Sequence, residues 1–293
     1  METGAQLPSV ILERYTIERE LGGGAMSRVY LATDRSLGRK VAIKTLAPEL
    51  SSVLATERFR REIEICARLQ HPHILPLLSA HEADGIPYFT TPFVEGESLR
   101  DRLAREGRLS VADAGHVMRD VADALEYAHR HGILHRDIKP ENILLEGRNA
   151  IVTDFGIAKV THAVGELAAR NYSITGTGMS VGTPVYMAPE QALADESADY
   201  RVDLYALGVV AYEMLAGRTP FAGRPGPGLL AARLRERPIP IAKLRARVPR
   251  PFAALVMQCL DADPVRRPER ADVIVQALES LALADPARRS VLR

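Results

Sequence analysis

Between residues 15 and 92 apolar and polar positions alternate in short runs. Segments 15–21, 28–33, 40–46 and 86–90 carry β-branched and aromatic residues bounded by Gly, Asp or Pro, which predicts strands. One stretch breaks this two-residue period. Over 56–69, Phe59, Ile63, Cys66 and Ala67 fall on one face and Arg60, Arg61, Glu64 and Arg68 elsewhere, the pattern of an amphipathic helix. Beyond residue 93 the period is helical. An amphipathic helix is predicted over 113–131, ended by Gly132, with further helices over 198–217, 252–260 and 271–283. The fold class expected is therefore α+β, a small β-rich unit followed by a larger, mainly helical one, with a junction at Glu95-Gly96-Glu97. The expected organisation is an N-terminal tail over 1–14, the small unit over 15–92, the larger unit over 93–284 and a tail over 285–293.

Composition narrows the function classes. The 293 residues are 46% hydrophobic and 26% charged, enough for sizeable cores in two units. A net charge of +1 gives no global case for binding nucleic acid or an anionic membrane. The 8 His are scattered, and only Cys66 and Cys259 occur, so neither a metal cage nor a disulfide framework is expected and a reducing, cytoplasmic setting fits. The first residues lack the basic and apolar regions of a secretory signal. The apolar stretch 204–217 is interrupted by Glu213 and is too short to cross a bilayer. The basic end Arg288-Arg289-Ser290-Val291-Leu292-Arg293 has no obvious structural ending, which leaves room for a longer, membrane-anchored parent protein.

Candidate chemistry begins at Leu21-Gly22-Gly23-Gly24-Ala25-Met26-Ser27, between two predicted strands. Glycines here suit either a hairpin turn or a loop whose backbone N–H groups approach phosphate oxygens. A dinucleotide-binding turn is disfavoured because a strand follows. Lys44 ends the apolar run Val41-Ala42-Ile43, and Glu62 lies among apolar positions of the helix. Lys44 could be a surface lysine; a buried Lys44–Glu62 pair would instead call for a neighbouring anion such as a nucleotide phosphate. Two further clusters weigh more. His135-Arg136-Asp137-Ile138-Lys139-Pro140-Glu141-Asn142 runs into apolar Ile143-Leu144-Leu145, and Asp154-Phe155-Gly156 ends an apolar strand. Asn142 and Asp154 are hard oxygen ligands of the kind Mg2+ takes beside phosphate. Asp137 can orient a hydroxyl and accept its proton, and Lys139 can neutralise charge on a transferred group.

These motifs, together with Ala188-Pro189-Glu190, occur in the order found in protein kinases. From about Tyr15 to Leu283 the chain resembles the eukaryotic-like (Hanks-type) serine/threonine protein kinases of bacteria, with Gly182-Thr183-Pro184-Val185-Tyr186-Met187 among the segments that carry the bacterial likeness. The resemblance implies a bilobal protein-kinase fold and transfer of the ATP γ-phosphoryl group to Ser or Thr hydroxyls of proteins, with Mg2+ (or Mn2+) as the metal. It assigns ATP contacts to Leu21, Gly22, Gly24, Ser27, Val29, Ala42, Lys44, Thr91, Pro92, Val94 and Leu144. Here Thr91 is the gatekeeper, and Pro92 stands where the family often has Glu. Lys44 pairs with Glu62, Asp137 is the catalytic base, Lys139 and Thr183 assist, and Asn142 and Asp154 hold the metal. Glu190 with Arg267, and Asp203, are implied to be stabilising. Arg136 is implied to capture a phosphate on the activation segment 154–190. That segment carries Thr161, Ser173, Thr175, Thr177 and Ser180, of which Thr175 and Thr177 best match autophosphorylated threonines of bacterial relatives. A kinase-domain dimer for autophosphorylation in trans is the partner arrangement expected, with no nucleic-acid partner.

Met26, His129 and His131 are read as loop-tip packing and solvated helix-end positions. Two rival functions fit the sequence less well. A pseudokinase scaffold usually loses the lysine, the catalytic aspartate or the metal aspartate, whereas Lys44, Asp137, Asn142 and Asp154 are all present here. Small-molecule kinases of related fold lack the Gly-Thr-Pro to Ala-Pro-Glu segment.

Overall fold

The computed structural model describes residues 9–23, 27–46, 53–155, 185–224 and 226–283. The chain divides into two units, Met1–Glu95 and Gly96–Arg293.

The first unit is a five-stranded antiparallel sheet of β1 (Tyr15–Gly23), β2 (Ser27–Asp34), β3 (Arg39–Leu46), β4 (Ser79–Ala83) and β5 (Ile86–Pro92), in the order β1-β2-β3-β5-β4. Two helices accompany it, α1 (Ser9–Arg14) and α2 (Val53–Arg68). Successive side chains of a strand point to opposite faces, while cross-strand partners share one. Val29 pairs with Lys44 and Ala42 with Thr91, so these four share a face. Part of that face is covered by α2, where Phe59 packs on Phe89 at 5.4 Å between centroids and on Leu46. The opposite face is a core of Tyr15, Ala32, Val41, Ile43, Ala83 and Tyr88, closed by Ile11 of α1. The tail expected through residue 14 therefore differs from what is observed. Its apolar Ile11 is fully buried, and this anchors the helix. β1 and β2 shift register between Glu20 and Gly22, a bulge that bends the ribbon at the glycine run. Gly22 adopts φ 137°, a conformation that side chains rarely take.

The second unit opens with β6 (Glu97–Ser98), α3 (Leu99–Glu106) and α4 (Val111–Arg130), continues through β7 (Ile143–Glu146) and β8 (Asn149–Val152), and forms a small sheet in the order β6-β7-β8. Ser98 and Ser110 cap the two helices, accepting from the backbone N–H of Asp101 and Asp113 at 3.1 and 3.0 Å. A Cβ on Gly96 would lie 1.9 Å from the Leu145 carbonyl oxygen, so only glycine lets the chain enter β6 this close to β7. There follow α5 (Pro189–Ala192), α6 (Arg201–Ala216), α7 (Gly226–Arg235), α8 (Ile241–Leu244), α9 (Arg250–Cys259) and α10 (Ala271–Leu283). Helix α6 is buried from Val202 to Leu215 and packs on α4 and α9, while α10 packs on α4. Its apolar run thus forms a protein interior. Among the described residues no helix is long and apolar enough to cross a membrane.

At the α6–α9 crossing the helices are held close by Gly208. A Cβ there would sit 2.6 Å from the Cβ of Cys259, whose thiol is fully buried and pushed up to about 12 by burial. Gly208→Ala should gain up to about 1 kcal/mol of helix propensity. Overpacking against a backbone-anchored Cβ costs about 1–3 kcal/mol, so the net effect expected is a loss of stability. Urea unfolding of the two proteins measures the difference.

Candidate active site

In the first unit, residue Lys44 of β3 and Glu62 of α2 form a buried ion pair, with Nζ 2.7 Å from Oε1 and both side chains less than a tenth exposed. The Lys44 ammonium also lies 5.8 Å from the centroid of the Phe89 ring. Val29, Ala42 and Thr91 occupy the same sheet face as Lys44. Ser27 and Thr91 are buried, Val29, Ala42, Pro92 and Val94 are half-buried, and Leu21 and Gly22 are exposed. Pro92 is the last residue of β5, beyond the end of its pairing with β4. Gly24 lies outside the described residues.

In the second unit the loop between α4 and β7 is organised by one carboxylate. Asp203, on the first turn of α6, has no exposure to solvent. Its Oδ1 accepts the Arg136 backbone N–H at 2.6 Å and its Oδ2 accepts that of His135 at 2.9 Å. Oδ2 is also 2.8 Å from His129 Nε2 on α4. Burial alone would raise the Asp203 pKa, but the His129 ring and the charge-assisted hydrogen bonds outweigh it and hold the carboxylate below its ordinary value. Gln191 donates to the Arg136 carbonyl at 2.9 Å, so this residue is clamped from both sides. It needs to be, because Arg136 sits at φ 64°, left-handed backbone that costs a non-glycine residue about 1 kcal/mol or more.

The clamped loop carries Asp137. Its Oδ2 receives Lys139 Nζ at 2.6 Å and Asn142 Nδ2 at 3.2 Å, and the same amide group donates to the Asp137 carbonyl at 2.9 Å. His135 is fully buried. Its Nδ1 accepts the Asp137 N–H at 3.2 Å, so Nε2 carries the proton that goes to the Thr153 carbonyl at 2.8 Å. This ring ties the loop to the end of β8, where Asp154 lies at φ 63°. Phe155 packs on the His135 ring at 4.6 Å between centroids. Thr153 N donates to the Asn142 carbonyl at 2.9 Å, continuing the β7–β8 ladder, so Asn142 and Asp154 emerge at one end of the hairpin. The Asn142 amide nitrogen is spent on Asp137, which leaves its Oδ1 as the oxygen able to ligate a cation. With the Asp154 carboxylate this is a hard-oxygen set that fits a divalent cation such as Mg2+. Leu144, half-buried, is in β7 beside it.

Beneath this loop, Glu190 of α5 and Arg267 form a bidentate pair at 2.5 and 2.8 Å, with the guanidinium fully buried and stacked 4.9 Å from the Tyr205 centroid. Arg267 donates further to the carbonyls of Asp261 and Arg201 at 2.9 and 3.0 Å. Thr175, Thr177 and Thr183 lie outside the described residues, as do Met26 and Gly156.

Two residues escaped the sequence reading. The solvated helix end expected at His129 is corrected by the structure: its side chain is 8% exposed and spends Nε2 on Asp203. His131 is exposed at the helix cap. Arg100, on α3, was not singled out at all. Its Nε and Nη1 donate to Glu141 and Glu213, each at 2.9 Å, and its Nη2 donates to Tyr186 Oη. The available signal was Glu213 itself, a charge embedded in an apolar helix, which must find a partner.

A family described as "Protein kinase domain" matches residues 15–279. Among similar proteins, a serine/threonine-protein kinase PknB of Mycolicibacterium smegmatis is 37% identical over 278 residues, covering 91% of this chain and 43% of that protein. PknB of Mycobacterium tuberculosis is 38% identical over 266 residues, covering 89% and 41%. A serine/threonine-protein kinase pkn3 of Myxococcus xanthus is 34% identical over 289 residues, covering 96% and 52%. The chain thus spans about half the length of these relatives or less.

The Asp203 anchor generates a prediction. A carboxylate whose folded pKa is depressed contributes stability that is present above its unfolded pKa and lost as pH falls through the folded value. Asp203→Asn removes a buried charge that receives backbone N–H groups, a change expected to cost about 2–4 kcal/mol at pH 7. The gap to wild type should hold down to about pH 4.5 and narrow below the ordinary carboxylate value of 3.8. Denaturant unfolding of both proteins across this range reads it.

Proposed function

The chain belongs to the protein kinase domain family, and from that premise we propose that it transfers the γ-phosphoryl group of ATP to serine or threonine hydroxyls of proteins. The observation that carries this reading is the setting of Asp137. Its carboxylate is fixed by Lys139 and Asn142 on a loop whose backbone is itself pinned by a buried aspartate. A carboxylate so held can orient an incoming hydroxyl and take its proton as the oxygen attacks the γ-phosphorus and ADP departs. Lys139, already against Asp137, is placed to balance the charge on the phosphoryl oxygens.

In the same reading Lys44, oriented by Glu62, holds the α- and β-phosphates. Gly22, Gly24 and Ser27 cover the phosphates, and Leu21, Val29, Ala42, Thr91, Pro92, Val94 and Leu144 enclose the base. Asn142 and Asp154 would hold Mg2+, or Mn2+ in its place. When bound, the ion supplies charge neutralisation on the phosphate oxygens. Thr183 assists catalysis, as the family resemblance implies, and Glu190–Arg267 keeps the geometry. Activation is by phosphorylation of Thr175 and Thr177 in trans within a transient kinase-domain dimer, with Arg136 receiving the phosphate. The setting is the cytoplasm, where ATP and reduced thiols prevail.

Incubation with labelled ATP and Mg2+, with and without a protein acceptor, tests the proposal in wild type beside Asp137→Asn. The variant should transfer phosphate at least about 100-fold more slowly. Peptide mapping of the wild-type product should find label on Thr175 or Thr177. Equal incorporation by both proteins, or none by wild type, would refute the reading.

A further inference from the structure

A cavity of about 520 Å³ in the second unit brings Arg100, Glu141 and Tyr186 onto the same wall system as Asp137 and Lys139. A peptide residue in extended conformation advances about 3.3–3.6 Å, so a cavity of this size takes two or three residues around the acceptor hydroxyl. A chain that brings a hydroxyl to Asp137 through this cavity therefore meets Arg100, Glu141 and Tyr186.

That cluster is a two-carboxylate acceptor with a guanidinium already in it. Glu141 and Glu213 come from different elements, the turn Pro140–Asn142 and helix α6, and each takes one nitrogen of Arg100 at 2.9 Å. Tyr186 completes the ring, donating to the second Glu213 oxygen at 2.5 Å while receiving the third Arg100 nitrogen. All three guanidinium nitrogens are thus engaged by groups that converge from separate parts of the fold, a planar fork matched to its acceptors. Glu213 is only 12% exposed and is joined to the cavity wall through Tyr186, so without Arg100 it would be a sheltered carboxylate with no cation on it. Burial works against the charge of Arg100, but the hydrogen bonds to Glu213 and Glu141 outweigh it and raise its pKa. Burial and the Glu213 carboxylate likewise raise that of Tyr186.

We propose that Arg100 determines peptide specificity: its guanidinium occupies, from within the chain, an acceptor that would otherwise take an arginine of the substrate, so the site selects peptides lacking a basic residue at that position. The proposal rests on the protein-kinase reading. Arg100 is anchored at the start of α3, one residue from the capped Leu99 turn, so the plug is held by a helix. A merely structural Arg100, tying α3 to α6, would affect stability and leave peptide preference alone. Preference is therefore the discriminating readout.

The test compares wild type with Arg100→Ala on a Ser/Thr peptide carrying alanine or arginine in turn at each of three positions on either side of the acceptor. At one position, the arginine-to-alanine ratio of kcat/KM should rise about tenfold or more in Arg100→Ala relative to wild type. Adding Glu213→Gln should abolish the rise. The same peptides, fluorescently labelled, are titrated by anisotropy with the non-hydrolysable nucleotide present, so that binding is read independently of turnover. If no peptide is phosphorylated even by wild type, the kinase reading fails while the binding ratio still decides the role of Arg100. If Arg100→Ala does not fold, Arg100→Gln, which keeps part of the hydrogen bonding, should shift the ratio in the same direction. A folded variant of either kind with the wild-type binding and turnover ratios overturns the proposal.

Discussion

A single buried carboxylate governs the geometry of the second unit. Asp203 is shielded from bulk solvent, and it is stable there because two consecutive backbone N–H groups and a histidine ring converge on it. Those N–H groups belong to His135 and Arg136, and the hydrogen bonds they make hold Arg136 in left-handed backbone that would otherwise relax. Because Arg136 is bent in this way, the next residue, Asp137, leaves the loop in a direction set by the most deeply buried helix of the unit. The His135 ring then passes the constraint on, through Thr153, to the strand end that bears Asp154. Asp137, Asn142 and Asp154 are thus referenced to one frame. This is preorganisation in a literal sense, since the cost of orienting them is met during folding.

The first unit relies on a different arrangement. Lys44 is held at the end of a buried strand by Glu62 from the helix packed on that face. Charged pairs with so little exposure gain little net stability against apolar replacements. Their value lies in direction: the ammonium cannot snorkel to solvent, as an isolated strand lysine would.

Most of this was legible in the sequence, but unevenly. Long periodic segments declared themselves, as in α2, α4 and α10, because one apolar face repeats over several turns. Short or edge elements did not. β4, Ser-Ala-His-Glu-Ala, has poor strand propensity and exists because β5 offers it a ladder partner. α1 is too short to show a period, and burial of Ile11 decides it. α3 shows just two buried apolar positions, Leu99 and Leu103. The clusters around Asp137 and Asp154 were visible because their members are neighbours in the chain. Asp203, Glu190 and Arg267 entered only through the family resemblance, since no local pattern distinguishes a buried acid from a surface one. Arg100 stayed hidden because the residues that give it meaning lie 41, 86 and 113 positions away.

The Glu190–Arg267 pair has a consequence for the order in which the molecule can be completed. Its partners are separated by 77 residues, and the arginine also gathers the carbonyls of Asp261 and Arg201. On a chain emerging from the ribosome at roughly 5–20 residues per second, Glu190 and the first turn of α6 wait several seconds for that cation. Throughout the interval the α5 carboxylate must stay hydrated. Final docking of this region is therefore a late event, paced by translation of the 77 residues from Glu190 to Arg267 and exposed, until then, to chaperones and proteases.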